Sequence, residues 1–270
     1  MSKTTGLRLG GWCRSFALLA VGTFIFPACG KNDDGVRPPT TDYGPAVPVG
    51  NGTARSYVMA SAGGKPSEIG VALTETALGG LPAAPAMGTM YDLPLPGAGP
   101  VSLMPFDHIS FDWNPNGHDP GPIYGLPHFD AHFYLQTLAV QRTITFDDPK
   151  GDIFPDANKL PAGYVTPPNT VPARTIPMMG RHWLDPTSPE FTPGTAFTQT
   201  LIYGTYDGHV TFVEPMLTSA ILVPDVSVER ALKQPAVYEV LGKYFPTTYA
   251  IHYNATSHEY LITLKDMVLR

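Results

Sequence analysis

Residues 128–134 combine histidine and aspartate with aromatic side chains in the segment HFDAHFY. Imidazole nitrogens and carboxylate oxygens are ligands that zinc, iron and manganese accept in proteins. As a β-strand, the segment has one polar face and one apolar face: His128, Asp130, His132 and Tyr134 against Phe129, Ala131 and Phe133. The polar face is therefore either a metal site or the solvent-exposed side of an aromatic strand.

The geometry of a strand limits which of these residues can share an ion. Successive residues on one face lie about 6.6 to 6.8 Å apart, and residues four positions apart lie about 13 Å apart. His128 and His132 are then too far apart to bind one ion. A straight strand can chelate through His128 with Asp130, or through Asp130 with His132, unless Pro127 lets His128 curl back from a loop.

A helix would place His128 and His132 one turn apart, as in the zinc motif H-E-x-x-H. Two features favour the strand. The downstream segment LAVQRTITF is alternating and rich in β-branched residues, and Phe129 stands where the motif carries its acidic residue.

Further ligands must come from elsewhere in the chain. His182 lies in MMGRHWLDP, His118 in the turn-like segment NPNGHDPG, and Glu214 in FVEPM. The sequence thus predicts one divalent metal, zinc, iron or manganese, with a ligand set drawn from six residues: His132, His182, Glu214, His128, Asp130 and His118.

Each of these residues also has a structural interpretation. Asp130 and His132 can hydrogen-bond to each other, and His118 with Asp119 can stabilise a turn. His182 can pack against Trp183. Glu214 can form an ion pair with Arg181 or Arg142.

Other chemistry has less support. The chain contains no G-x-S-x-G elbow and no glycine-rich P-loop, so the sequence does not indicate a serine nucleophile or a phosphate loop. Its formal net charge of −6 argues against nucleic acid as a partner.

The elements that must position these residues are mostly strands. Thirty prolines and 27 glycines leave few windows for a long helix. We predict an all-β fold over residues 51–270, built as a single antiparallel sandwich or barrel. The long proline-rich connections at 149–180 and 184–194 are expected to be functional or to pack over the surface as lids. The main helical segment is predicted at 227–233.

One hairpin can be predicted with its register. Asp207 and Gly208 are typical of a type I′ turn, in which both central residues take positive φ. A regular two-residue hairpin pairs Tyr206 with His209, Tyr203 with Phe212 and Leu201 with Glu214. It places Glu214 on the same face as Leu201 and Tyr203.

The N-terminus predicts export. Lys3, Arg8 and Arg14 precede the apolar run SFALLAVGTFIFPA. This run is shorter than the roughly 20 residues of a membrane-spanning helix, so it fits a secretory signal better. Residues 1–28 are therefore predicted to be a signal peptide. Residues 29–50, rich in proline and glycine after Cys29, are predicted to be a flexible linker.

The segment FPAC resembles a bacterial lipobox, although Phe26 and Pro27 depart from the preferred leucine and small residue. This resemblance implies that Cys29 is lipidated and becomes the first mature residue. The expected location is the periplasm or cell surface, with the lipid anchor in the membrane. The alternatives are cleavage to a soluble exported protein and a free cysteine after an ordinary signal. Cys13 lies in the removed part, so a mature chain that starts at Cys29 has no internal disulfide.

Several blocks, among them FDWNPNGHDPGPIYGLPHFDAHFY, IPMMGRHWLD and FTQTLIYGTYDGHVTFVEPMLT, resemble an uncharacterised family of exported bacterial proteins, a domain of unknown function. The resemblance extends over residues 53–269. Family members carry a bulky aromatic residue where this chain has Ala131. The resemblance implies an exported, β-rich domain that forms homo-oligomers, and it implies no particular reaction.

Two hypotheses follow. In the first, an envelope lipoprotein binds a divalent metal through His132, His182 and Glu214, with Asp130 or His128 as a fourth ligand or as a residue that orients a ligand. If it is an enzyme, metal-assisted hydrolysis or dioxygen chemistry follows. In the second, a metal-free module self-assembles or binds an unknown small molecule, and the polar face lines an interface. Convergence of the three side chains on one point distinguishes the two.

Overall fold

A computed structural model of the chain describes residues 38–84, 88–167 and 175–270. The predicted signal peptide and the first part of the predicted linker, residues 29–37 with Cys29, lie outside these residues. Within them, helices are short, as the frequency of proline and glycine predicts. The two α-helices are α1 (Gly121–Tyr124) and α2 (Leu138–Gln141), and the 3₁₀ turns are Glu75–Leu78, Val101–Leu103, Pro149–Asp152, Ala157–Lys159, Pro189–Phe191 and Ser219–Ile221. None of the helices in this part of the chain has the length and apolarity needed to cross a bilayer.

The first sheet is antiparallel and has seven strands. Numbered in chain order, they are β1 (Thr40–Tyr43), β2 (Val47–Val49), β3 (Gly52–Ala60), β4 (Pro66–Thr74), β11 (Ser227–Ala231), β13 (Thr248–Asn254) and β14 (Glu259–Lys265). Their order in the sheet is β1-β3-β4-β14-β13-β11, and β2 also pairs with β3. The N-terminal and C-terminal hairpins thus share one sheet.

The second sheet is antiparallel and has six strands. They are β5 (Thr89–Pro94), β6 (His108–Asn114), β7 (His128–Tyr134), β8 (Arg181–Trp183), β9 (Gln199–Tyr206) and β10 (His209–Thr218). Their order is β5-β6-β7-β10-β9-β8, which places the predicted histidine strand β7 near the centre. A separate two-stranded ribbon joins β12 (Tyr244–Phe245) to β15 (Val268–Leu269).

The main hydrophobic core contains buried side chains from both sheets, and this makes the fold a sandwich. The first sheet contributes Val58, Ile69 and Val71 among others, and the second contributes Phe111, Phe129 and Phe133. The rings of Phe111 and Phe129 stack with centroids 4.9 Å apart. The prediction of an all-β antiparallel sandwich is confirmed.

The outer face of the second sheet is covered by loops. Residues from α1 and the loops form a second buried cluster with β9 and β10: Tyr124, Leu184, Phe197, Ile202 and Met216. The polar residues of β7 on this face, His128, Asp130 and His132, are 0 to 2 % exposed. The interpretation of this face as solvent-exposed is therefore wrong, because the connections close over it.

The long proline-rich connections contribute to this cover. Leu184 and Phe191 of the second connection belong to or pack against the outer cluster. In the first connection, the Met178 carbonyl accepts a hydrogen bond of 3.2 Å from the Tyr134 hydroxyl on β7. Residues 168–174 of that connection lie outside the described residues.

Two predictions differ from the structure: the start of the folded part and the type of one element. Residues 40–43 and 47–49 pair with β3, so the folded part begins before the predicted boundary at residue 51. The predicted helix at 227–233 is instead the strand β11, because residues 227–231 pair with β13 along the sheet edge and tertiary pairing overrides the helix propensity of Glu229 and Arg230.

The predicted hairpin forms, with one irregularity. Asp207 and Gly208 have φ of 52° and 79°, as a type I′ turn requires, and His209 pairs with Tyr206. The register then shifts between Val210 and Phe212, so that Phe212 pairs with Gly204 and Glu214 with Ile202.

This β-bulge corrects the predicted face of Glu214. The extra residue in β10 moves Phe212 and Glu214 to the outer face, whereas Leu201 and Tyr203 remain in the main core. The sequence-based register placed all four residues on one face and was wrong beyond Val210.

Gly204 is required where the ring of Phe212 lies over β9. A Cβ at position 204 would overlap this fully buried ring, which contacts both His132 and His182. We expect Gly204→Ala to destabilise the protein by about 1–3 kcal/mol through overpacking. The midpoint of urea unfolding measures the effect. Gly97→Ala is the matched control, since its Cβ would meet no atom within 4 Å. Equal midpoints for the two variants would contradict the prediction.

Candidate metal centre

Three neighbouring strands bring the polar side chains together on the covered face. The β6–β7 register pairs Ser110 with His132, and Asp112 with Asp130. On the other side of β7, β10 contributes Glu214, whose carboxylate approaches His132. Since alternate residues of a strand share a face, these side chains enter one layer beneath the loops.

One group consists of His132, His182 and Glu214, whose ligand atoms lie within 4.8 Å of one another. His132 Nε2 lies 3.3 Å from Glu214 Oε2, and His182 Nε2 lies 3.8 Å from the same oxygen. The three residues come from β7, β8 and β10. We refer to them as the inner group.

The closest atoms of the inner group do not hydrogen-bond to each other. His132 Nε2 and Glu214 Oε2 are both buried and lack a hydrogen-bond partner. Two ligand atoms bound to one tetrahedral zinc ion, at bonds of 2.0 to 2.1 Å, are separated by about 3.3 Å. The separation of these two atoms therefore matches two ligands of one ion.

Asp112 lies behind His132. Its Oδ2 atom is 3.3 Å from His132 Nδ1, and its Oδ1 atom accepts a hydrogen bond of 3.1 Å from Ser110 Oγ. Asp112 Oδ2 and His132 Nδ1 are also buried without a hydrogen-bond partner. A carboxylate beside Nδ1 favours a proton on that nitrogen by charge, and thus the tautomer that has its lone pair on Nε2, the atom that faces Glu214. Asp112 is thus placed to orient His132.

Asp112 was not among the residues predicted from the sequence, although the sequence contains a signal for it. The segment HISFDW was recognisable as a strand, and its alternation puts Ser110, Asp112 and Asn114 on one face. The pairing of this strand with HFDAHFY could not be read from the sequence, and only that pairing identifies the face as part of the centre.

A second group consists of His118, His128 and Asp130, again with ligand atoms within 4.8 Å of one another. His128 Nε2 lies 3.3 Å from Asp130 Oδ1, and His118 Nε2 lies 3.2 Å from Asp130 Oδ2. We refer to these residues as the outer group, since the side chain of His118 is 37 % exposed.

The structure thus divides the six predicted residues into two groups. The sequence predicted a single site in which Asp130 or His128 joined His132, but the structure places both of them beside His118 instead. The reason is geometric. Same-face neighbours on β7 are about 6.6 to 6.8 Å apart at Cα, and their side chains lean towards different partners.

The alternative interpretations of Glu214 do not match the structure. Arg181 donates a hydrogen bond of 2.7 Å to Asp152, and Arg142 donates one of 2.9 Å to Asp92. Among the described residues, no arginine and no lysine forms a salt bridge with Glu214. The neighbours of its carboxylate are imidazoles.

Burial and mutual charge shift the pKa values of the inner group. Burial raises the pKa of the Glu214 carboxyl, and His132 opposes this shift. Burial disfavours the His132 cation, but Glu214 and Asp112 outweigh it and hold the pKa of His132 well above its usual value. Burial and the neighbouring imidazoles of His132 and His118 lower the pKa of His182 to about 3. His182 therefore offers a neutral nitrogen.

The outer group is coupled to the inner group through charge. Burial disfavours the His118 cation, but Asp130 outweighs it and raises the pKa of His118 to about 9, with a further contribution from Glu214. Burial opposes ionisation of Asp130, yet His128 and His118 hold its pKa below the usual range. The two groups thus belong to one electrostatic unit.

Comparison with known proteins gives one partial match. A family model described as TTHB210-like, hypothetical protein TTHB210, matches residues 61–113, which is less than half of the chain. The matched segment includes Asp112 and none of the six predicted ligands. No curated protein and no solved structure shows significant similarity to the chain. Over residues 61–113 the chain is therefore similar to an uncharacterised protein family, in agreement with the general form of the resemblance seen in the sequence.

Proposed function

We propose that the chain is an exported, lipid-anchored protein of the cell envelope that binds a divalent cation through His132, His182 and Glu214. The observation that carries the proposal is the approach of two buried ligand atoms, His132 Nε2 and Glu214 Oε2, to 3.3 Å without a hydrogen-bond partner for either. A buried carboxylate needs compensating charge, and a divalent cation between these atoms supplies it.

The donor set indicates which ions fit. Two imidazoles and one carboxylate suit zinc, iron or manganese, and they leave at least one coordination position open. The side chain of His182 is 21 % exposed, so this side of the inner group is within reach of solvent. When bound, such an ion activates water or dioxygen, which makes metal-assisted hydrolysis or oxygen chemistry the reaction class to test.

A second candidate function is self-assembly without a metal. Apolar side chains are exposed around the ribbon of β12 and β15, where Leu241 is 73 % and Leu269 56 % exposed. Exposed apolar patches usually mark contact surfaces, and this one suits a second copy of the chain.

Metal content tests the inner group. Purified without a polyhistidine tag, the wild-type protein should carry zinc, iron or manganese, and His132→Ala should lose about one equivalent per chain, as measured by mass spectrometry of the metals. His252→Ala is the matched control, because it removes an imidazole with a side chain 37 % exposed, 4.0 Å from a glutamate and outside the site. Circular dichroism checks that each variant is folded.

A wild-type protein that neither contains nor takes up any of these metals would contradict the proposal. If His132→Ala had the same metal content as the wild type, the assignment of the inner group as the binding site would be contradicted. The first result would leave self-assembly as the function to pursue.

Asp112 provides a second test of the inner group. Because it orients His132 without reaching the ion, Asp112→Asn should weaken zinc affinity by about 10- to 100-fold and leave the fold intact. Competition with a chelator of known affinity measures the change. Asp92→Asn, on the adjacent strand β5 and paired with Arg142, should bind zinc as the wild type does. Equal affinity of the Asp112 and Asp92 variants would exclude an orienting role.

The lipid anchor is tested by Cys29→Ser. This substitution removes the sulfur that would carry the lipid, so the protein should move from the membrane fraction to the soluble periplasmic fraction, and the mature N-terminus should lose its lipid mass. Cys13→Ser lies in the predicted signal peptide and should leave both properties unchanged. Wild-type protein with an unmodified N-terminus in the soluble fraction would show that the anchor is absent.

A further inference from the structure

The outer group has the elements of a metal site in its own right. His128 and Asp130 lie on β7, and His118 lies in the segment between β6 and α1. The group has the same donor types as the inner group, two imidazoles and one carboxylate. The sequence had assigned these residues to a supporting role at a single site.

Hydrogen bonds fix the orientation of both imidazoles. His128 Nδ1 lies 2.6 Å from the Leu126 carbonyl oxygen, and His118 Nδ1 lies 2.9 Å from the Asp119 carbonyl oxygen. Since a carbonyl oxygen only accepts, each Nδ1 carries a proton and donates it. In the neutral ring, Nε2 then holds a lone pair, as in metal-binding histidines whose other nitrogen is held by a backbone carbonyl.

The carboxylate of Asp130 is held in a similar way. Its Oδ2 atom accepts a hydrogen bond of 2.7 Å from Asn114 Nδ2 on the neighbouring strand β6. Its Oδ1 atom faces His128 Nε2 at 3.3 Å, and both of these atoms are buried without a hydrogen-bond partner. A nitrogen lone pair and a carboxylate oxygen at this distance in a buried site repel each other unless a proton on Nε2 or a metal cation lies between them.

We propose that His118, His128 and Asp130 bind a second divalent cation, so that each chain holds two ions side by side on the covered face of β7. This inference rests on the proposed function of the inner group. Asp130 and His132 are consecutive same-face residues of β7, about 6.6 to 6.8 Å apart at Cα, so the two ions occupy adjacent positions along one strand.

The two sites differ in their access to solvent. The most exposed ligand of the inner group, His182, has a side chain that is 21 % exposed, whereas the most exposed ligand of the outer group, His118, has a side chain that is 37 % exposed and belongs to a loop. The outer ion therefore exchanges faster than the inner ion. Zinc, iron and manganese suit both sites, because the donor sets are the same.

The competing arrangement is a simple ion pair. A doubly protonated His118 donates from Nε2 to Asp130 Oδ2 at 3.2 Å. In that arrangement no second ion is present, and the loss of His118 leaves the metal content unchanged.

Cobalt titration separates these arrangements, since bound Co²⁺ is detected by its visible absorption and counted by mass spectrometry. The metal-free wild-type protein should take up two equivalents per chain. His118→Ala and His118→Gln should each take up one, and His132→Ala should also take up one. His252→Ala, whose side chain has the same exposure as that of His118, should take up two. Brief treatment of the loaded wild type with a chelator should remove one equivalent first and leave a protein that resembles the His118 variants.

The outcomes distinguish the two proposals. One equivalent in the wild type, lost in His132→Ala and retained in both His118 variants, would overturn the second site and leave the first in place. One equivalent that is lost in the His118 variants and retained in His132→Ala would support the outer site and overturn the inner one. No uptake by the wild type would overturn both.

Discussion

The burial of a charged layer on the outer face of the second sheet is the constraint on which the candidate centre depends. Asp112, Asp130 and Glu214 are each at most 4 % exposed. Removal of an ionised carboxylate from water costs several kcal/mol unless opposite charge and hydrogen bonds compensate. The surrounding histidines compensate partly, and atoms of the same layer keep unsatisfied lone pairs. The loops that exclude water from this layer therefore also create its need for compensating positive charge.

Much of the fold followed from local patterns. The alternation of HFDAHFY predicted the strand β7 and its two faces, and Asp207-Gly208 predicted a hairpin turn with positive φ. The segment at 227–233 was misassigned because helix formers such as Glu229 carry no information about an open sheet edge that can pair with them. Local propensity is weak wherever a neighbouring strand decides the conformation.

The candidate site was less predictable than the fold, and for a different reason. The side chains of a centre come from strands that are distant in sequence. Residue types can therefore indicate possible ligands, but they do not show which of these share one site. The sequence nominated His118 and His132 for one site, and only the pairing of β6, β7 and β10 separates them. The burial of β7 on both faces was also beyond the sequence, because it depends on loops that pack over the sheet from other parts of the chain.

Because of the bulge in β10, the position of Glu214 at the centre depends on the number of residues between the hairpin turn and this glutamate. One extra residue between Val210 and Phe212 rotates every later side chain of the strand to the opposite face. A deletion of a single residue there would keep the hairpin and its turn but would send the carboxylate into the hydrophobic core. Among evolutionary relatives, the spacing between the turn and this glutamate is therefore a better marker of the inner group than the identity of the glutamate itself.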